Sequence, residues 1–227
     1  MNRQDFPQPT EEQQVARRRR RLVVWTVLIA LLILAGGAVG AYFVAYQPYR
    51  VDARFREATN LMSIGDSQAA VNMFNQVLEL DPNRKDVFLR RGMAYQNMGK
   101  PDLALEDYDR AMTVESDRSA VLTARGIVYR DRGEFQKAID EFTKALAVRD
   151  QPDTYFERGQ TYALMQEYQK AIADMDNVVA AVRDAPHVLR ARALLKQKLG
   201  NTSGYLADVA AAESFEERAE SGQAGAK

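Results

Sequence analysis

Four arginines and four acids recur in this chain at one separation: Arg91 with Asp107, Arg125 with Glu141, Arg158 with Asp174 and Arg192 with Asp208. A ladder of guanidinium groups could hold an acidic ligand. Alternatively, each arginine stem packs along one helix while its planar fork meets an acid on the next. The matching acids beside all four arginines favour the structural use. Other reactive residues are scarce. His187 is the only histidine and cysteine is absent, so metal sites and nucleophilic arrangements built on those residues are poorly supplied. His187 follows Pro186, where an ordinary surface or capping role fits. The carboxylate pairs Glu106/Asp107 and Asp140/Glu141 stand at equivalent places of a repeating pattern, which points to structure. No glycine-rich phosphate loop occurs, since Gly36-Gly37 lies inside an apolar stretch. The expectation is no catalytic, cofactor-binding or metal site, and no enzyme.

The pattern that positions these residues has a fixed period. Arg91-Gly92, Tyr95, Ala104, Tyr108 and Ala111 return 34 positions later as Arg125-Gly126, Tyr129, Ala138, Phe142 and Ala145. They return 33 positions further on as Arg158-Gly159, Tyr162, Ala171, Met175 and Val178. Fixed-period self-similarity sets the architecture before any local propensity is weighed. Units can be numbered from Val51, Lys85, Ser119, Pro152 and Pro186. The small residues at positions 8 and 20 then allow two helices of one unit to approach closely, and the aromatics at 11 and 24 fill the space around that contact. The first unit has Ala58, Leu61, Ala70 and Phe74 at these places, but Glu57 and Met73 where the others have the arginine and the acid. The fifth has Ala193 at 8 and Val209 at 24, and departs from the pattern with Lys196 at 11 and Tyr205 at 20.

This period and these residues resemble the tetratricopeptide repeat (TPR). The resemblance covers residues 51–217 and implies an all-α fold, a right-handed superhelical array of about five antiparallel helix pairs, near 51–84, 85–118, 119–151, 152–185 and 186–217. Gly65, Gly99, Gly133 and Gly200 suit the left-handed cap that would end the first helix of a unit. In this family the first-helix positions 2, 5, 9 and 12 line the inner groove. That implies a protein-binding groove with Leu89, Met93, Gln96, Thr123, Ile127, Arg130, Phe156 and Gln160 as candidate residues. Leu89, Met93, Ile127 and Phe156 would form an apolar stripe awaiting a peptide or helix. The competing expectation is that packing between repeats, or the chain's own C-terminal helix, covers them. The carboxylate clamp of chaperone-receptor members is missing, because Leu89, Met93, Ala120 and Ala124 occupy its positions.

Ahead of the repeats, residues 1–21 read as a cytoplasmic basic tail ending in five consecutive arginines, Arg17 to Arg21, with Thr10 and Gln13 as a capping box. Leu22 to Tyr46 carries no charge, and its 25 residues match the roughly 20 needed to cross a bilayer. Trp25 near one end, and Tyr42, Tyr46 and Tyr49 near the other, suit interfacial belts. A transmembrane signal anchor over 22–46 is therefore expected, with Pro48 ending it. A cleaved signal peptide, cut after the small residues near Ala38, is the alternative. The preceding arginines would keep the N-terminus cytoplasmic and place the repeats on the periplasmic or outer side of a cytoplasmic (inner) membrane. Gly36 and Gly40 form a GxxxG pattern that could pair two copies as a homodimer.

Residues 1–50 hold seven basic and three acidic side chains of a chain with 31 of each. The remainder is mildly acidic, so nucleic acid is not an expected partner. Residues 218–227 read as a disordered tail. The layout is similar to that of translocon-associated TPR proteins of the bacterial envelope, which implies a membrane-anchored scaffold for an unnamed protein partner. Two alternatives remain: a structural subunit dimerising through its span without a peptide ligand, and an organelle-surface receptor with cytosolic repeats, which the arginine placement disfavours.

Overall fold

Each unit of the array turns over at a left-handed residue. Gly65, Gly99, Gly133 and Gly200 have φ of 86°, 66°, 75° and 73°, a region that costs glycine nothing. The fourth unit makes the same turn with Gln166, φ 61°. In every case the next amide donates back to the carbonyl of position 11, from Asp66 to Leu61, Lys100 to Tyr95, Glu134 to Tyr129, Glu167 to Tyr162 and Asn201 to Lys196, at 2.8–2.9 Å. These bonds satisfy carbonyls that the helix end would leave orphaned. Pro101, Pro152 and Pro186 start helices, where a missing N–H costs nothing.

The computed structural model describes residues 11–84, 86–112, 118–182 and 185–224. Among the described residues there are ten α-helices and no strand: α1 Glu11–Ser63, α2 Ser67–Leu80, α3 Asp86–Asn97, α4 Pro101–Ala111, α5 Arg118–Asp131, α6 Phe135–Val148, α7 Pro152–Leu164, α8 Tyr168–Ala181, α9 Pro186–Lys198 and α10 Thr202–Ala224. The chain divides into two compact units, Met1–Ala53 and Arg54–Lys227.

The first unit is the leading part of α1. Among the described residues, no helix is long and apolar enough to cross a membrane. Several side chains of the expected 22–46 span, including Leu22, Val23, Leu32 and Phe43, lie outside the described residues, as do the tail before residue 11, Thr10 and the side chains of Arg17 to Arg21. Trp25, Leu31, Ile33 and Leu34 are exposed. Pro48 does not end the helix as expected but lies inside α1. One proline removes a single rung of the ladder, and helix-compatible residues continue on both sides. Around Gly36 and Gly40 an added Cβ would meet nothing within 4 Å.

The second unit is the array. Helix pairs α3/α4, α5/α6, α7/α8 and α9/α10 pack within units, and α2/α3, α4/α5, α6/α7 and α8/α9 pack between them. Position 20 is fully buried as Ala70, Ala104, Ala138 and Ala171, and position 24 as Phe74, Tyr108, Phe142 and Met175. The small residue at position 8 makes room for the ring at 24: a Cβ on Gly92 would lie 2.5 Å from Tyr108 Cε1, and one on Gly126 2.5 Å from Phe142 Cε1. The position-11 tyrosines Tyr95, Tyr129 and Tyr162 are only half-buried, so the two aromatics do not share the filling equally. The fifth pair forms despite its departures, with Ala193 and Ala212 buried and Lys196 Nζ 2.8 Å from Asp208 Oδ2. Its second helix runs on to Ala224. The expected disordered tail from residue 218 is therefore helical that far, because Glu216, Glu217, Arg218 and Ala219 are strong helix formers.

Candidate functional site

The arginine ladder joins each unit to itself and to its predecessor. Arg91 donates from Nε and Nη2 to both oxygens of Asp107 at 2.7 Å, Arg158 to Asp174 at 2.9 and 2.8 Å, and Arg192 to Asp208 at 2.9 and 2.6 Å. Such paired forks are the strong form of a charge-assisted bond. The remaining nitrogen, Nη1, reaches back one unit: to Asn75 Oδ1 at 2.6 Å, Asp109 Oδ1 at 3.1 Å from Arg125, Thr143 Oγ1 at 3.2 Å and Asp176 Oδ1 at 2.6 Å. All four acceptors occupy position 25 of the preceding unit. The acids are buried and the arginines largely so. Hydrogen bonds donated to the aspartates hold the guanidinium pKa of Arg91, Arg158 and Arg192 above its ordinary value. With the guanidinium groups turned onto acids and other acceptors inside the array, the arginines form a structural spine and offer no ladder to an acidic ligand. The position-25 acceptors went unread in the sequence, although each lies as far before its arginine as the acid lies after it, or one residue nearer for Thr143.

The groove candidates come together on successive first helices, and α3 touches α5 and α5 touches α7. The continuous apolar stripe expected from Leu89, Met93, Ile127 and Phe156 is not what forms. Met93 is 42% exposed, whereas Leu89, Ile127 and Phe156 are half-buried. Leu89 packs on the cluster of Tyr108, Val121 and Ala124. Phe156 packs on that of Met175 and Val188 and meets the His187 ring edge-on at 5.6 Å. Position 5 packs on these clusters as Leu89 and Phe156, while position 9 is exposed as Met93 and half-buried as Ile127.

The polar candidates link one unit to the next or to its own core. Thr123 Oγ1 lies 2.9 Å from Thr154 Oγ1 and donates to Ser119 O at 3.0 Å. Arg130 pairs with Glu157 and Asp131 and donates to Gln160 Oε1 at 3.3 Å. Gln96 Oε1 accepts from Tyr108 Oη at 3.0 Å. Burial pushes the Tyr108 phenol well above its ordinary pKa, so it stays a neutral donor. Sequence reasoning omitted Leu194, which occupies position 9 of the fifth unit and is 59% exposed. The position that gave Met93 and Ile127 would have found it. Among the described residues, no group of three His, Cys, Asp or Glu side chains is placed to hold a metal ion.

Sequence models of the tetratricopeptide repeat match residues 86–151, and residues 55–113 and 123–186. No curated protein matches the chain. Among solved structures, a crystal structure of MamA is 22% identical, with a TM-score of 0.64 over 72% of this chain and 96% of that one. PilF of Pseudomonas aeruginosa is 20% identical, with a TM-score of 0.65 over 73% and 78%. PilW, described as a widely conserved type IV pilus biogenesis factor, is 20% identical, with a TM-score of 0.66 over 74% and 78%. At these identities the likeness is one of fold. Together with the period, the buried Ala-and-aromatic contacts and the family matches over more than half its length, it places this chain in the tetratricopeptide repeat family.

Proposed function

We propose that this chain is a membrane-anchored scaffold that binds a protein partner along the inner face of its repeats, in a bacterial envelope complex. The observation that carries the reading is the pair Met93 and Leu194, large apolar side chains 42% and 59% exposed at the same position of separate first helices. Half-buried Ile127 and the Arg130–Glu157–Gln160 cluster lie on the intervening first helices. Apolar anchors bordered by polar groups are what a bound segment uses for affinity and register. PilW's description as a pilus biogenesis factor is consistent with an envelope setting. The anchor and its orientation rest on the sequence: five arginines followed by 25 uncharged residues, which puts the N-terminus in the cytoplasm and the repeats outside.

Photo-crosslinking residues placed at 93 and 194 in intact cells test the groove. Adducts to one defined protein are expected from both sites, and none from Glu106, which is exposed on α4. Adducts from Glu106 alone would move the contact off the inner face. The alternative, a subunit pairing through Gly36 and Gly40 with no peptide ligand, would give only adducts between copies of this chain.

A further inference from the structure

The array has one face where its own repeating contact is left open. In the first four units, the second helix receives the first helix of the unit that follows, α3 on α2, α5 on α4, α7 on α6 and α9 on α8. There, positions 20 and 24 are at most 1% exposed. In the fifth unit, among the described residues, no helix packs on α10 in the equivalent place. Tyr205 and Val209, at those same positions, are half-buried, and a cavity of about 330 Å³ opens between them and Arg190, Ala193, Leu194 and Glu213.

The geometry points to this groove as a seat for an α-helix of a partner protein, apolar along one face and basic beside it. That the occupant is a helix follows from the four equivalent contacts, each filled by one. Its apolar face follows from the residues those helices bury: Val121, Ala124 and Val128 in α5, and Val188 and Leu195, with Ala191 half-buried between them, in α9. Small or branched residues at i, i+3 and i+7 thus form the stripe. Its charge follows from position 28. Leu78, Met112, Leu146 and Val179 are half-buried there, but the fifth unit has the exposed Glu213, and neighbouring Glu216 is already engaged by Arg190. A free carboxylate at the rim selects a lysine or arginine on the incoming helix and disfavours an acidic one. This surface shares Leu194 with the inner groove proposed above, whereas Met93 belongs to that groove alone.

The test uses the full-length chain in detergent micelles and a fluorescent, helix-stapled peptide with the sequence of residues 186–198, which carries both the stripe and Arg192, Lys196 and Lys198. Saturable one-to-one binding is expected, lost to a scrambled peptide. Val209→Asp should weaken it by about tenfold or more, Glu213→Lys by several-fold, and Met93→Asp not at all. Glu213 is exposed, so that variant keeps the fold and decides the matter if Val209→Asp does not. Absence of saturable binding overturns the proposal. So does binding indifferent to both end-face variants, or binding that falls with Met93→Asp.

Discussion

Arg125 Nε lies 3.3 Å from Glu141 Oε2, and neither atom forms a hydrogen bond although both are buried. The other three rungs of the ladder use aspartate and close both bonds. Glutamate is one methylene longer, which carries its carboxylate out of line with the fork, and its other oxygen takes Lys144 Nζ at 2.8 Å. Glu141→Asp should therefore stabilise the array by about 1 kcal/mol, the net worth of one internal hydrogen bond. Losing the exposed Lys144 pair subtracts little. Chemical denaturation of the two proteins measures the difference; a destabilised aspartate variant would mean that glutamate length is required at that crossing.

Acid should loosen the last unit. Burial pushes the Asp208 carboxyl up, but hydrogen bonds from Arg192 and Lys196 outweigh it and hold the pKa below its ordinary value. A depressed folded pKa means that this contribution is complete above the unfolded value near 3.9 and disappears as pH falls through the folded value. Asp208→Asn should thus be less stable than wild type at neutral pH, and the gap should close below about pH 4. Melting curves across that range check the sign. A gap that stays constant would remove the linkage.

Glycine at position 8 should not be equally replaceable in all units. At Gly126 an added Cβ would sit 2.5 Å from the Phe142 ring, whereas at Gly159 its nearest neighbours stand further off: Asp174 Cβ at 3.2 Å, and Ala171 O and the flexible Met175 Cε at 3.3 Å. Gly126→Ala should cost about 1–3 kcal/mol by overpacking. Gly159→Ala should be nearly neutral, since a gain of about 1 kcal/mol in helix propensity offsets the squeeze. Equal losses in thermal melts would show that the ring and the methionine yield alike.

The sequence by itself determined what is local to a unit. The period, the four Arg–acid pairs, the buried Ala104, Tyr108, Ala138 and Phe142, and the turns at Gly99 and Gly133 could all be read from spacing. A helix, a short turn and a second helix place position 7 opposite position 23 whatever surrounds them. Only the tertiary structure decided what depends on the stacking of one unit on the next. It gave Arg91 a second partner in Asn75 and half-buried Leu89 and Phe156 while leaving Met93 exposed. These outcomes depend on how far one helix pair rotates against its neighbour. That rotation is set by the summed packing of side chains some 34 residues apart, and no single position announces it.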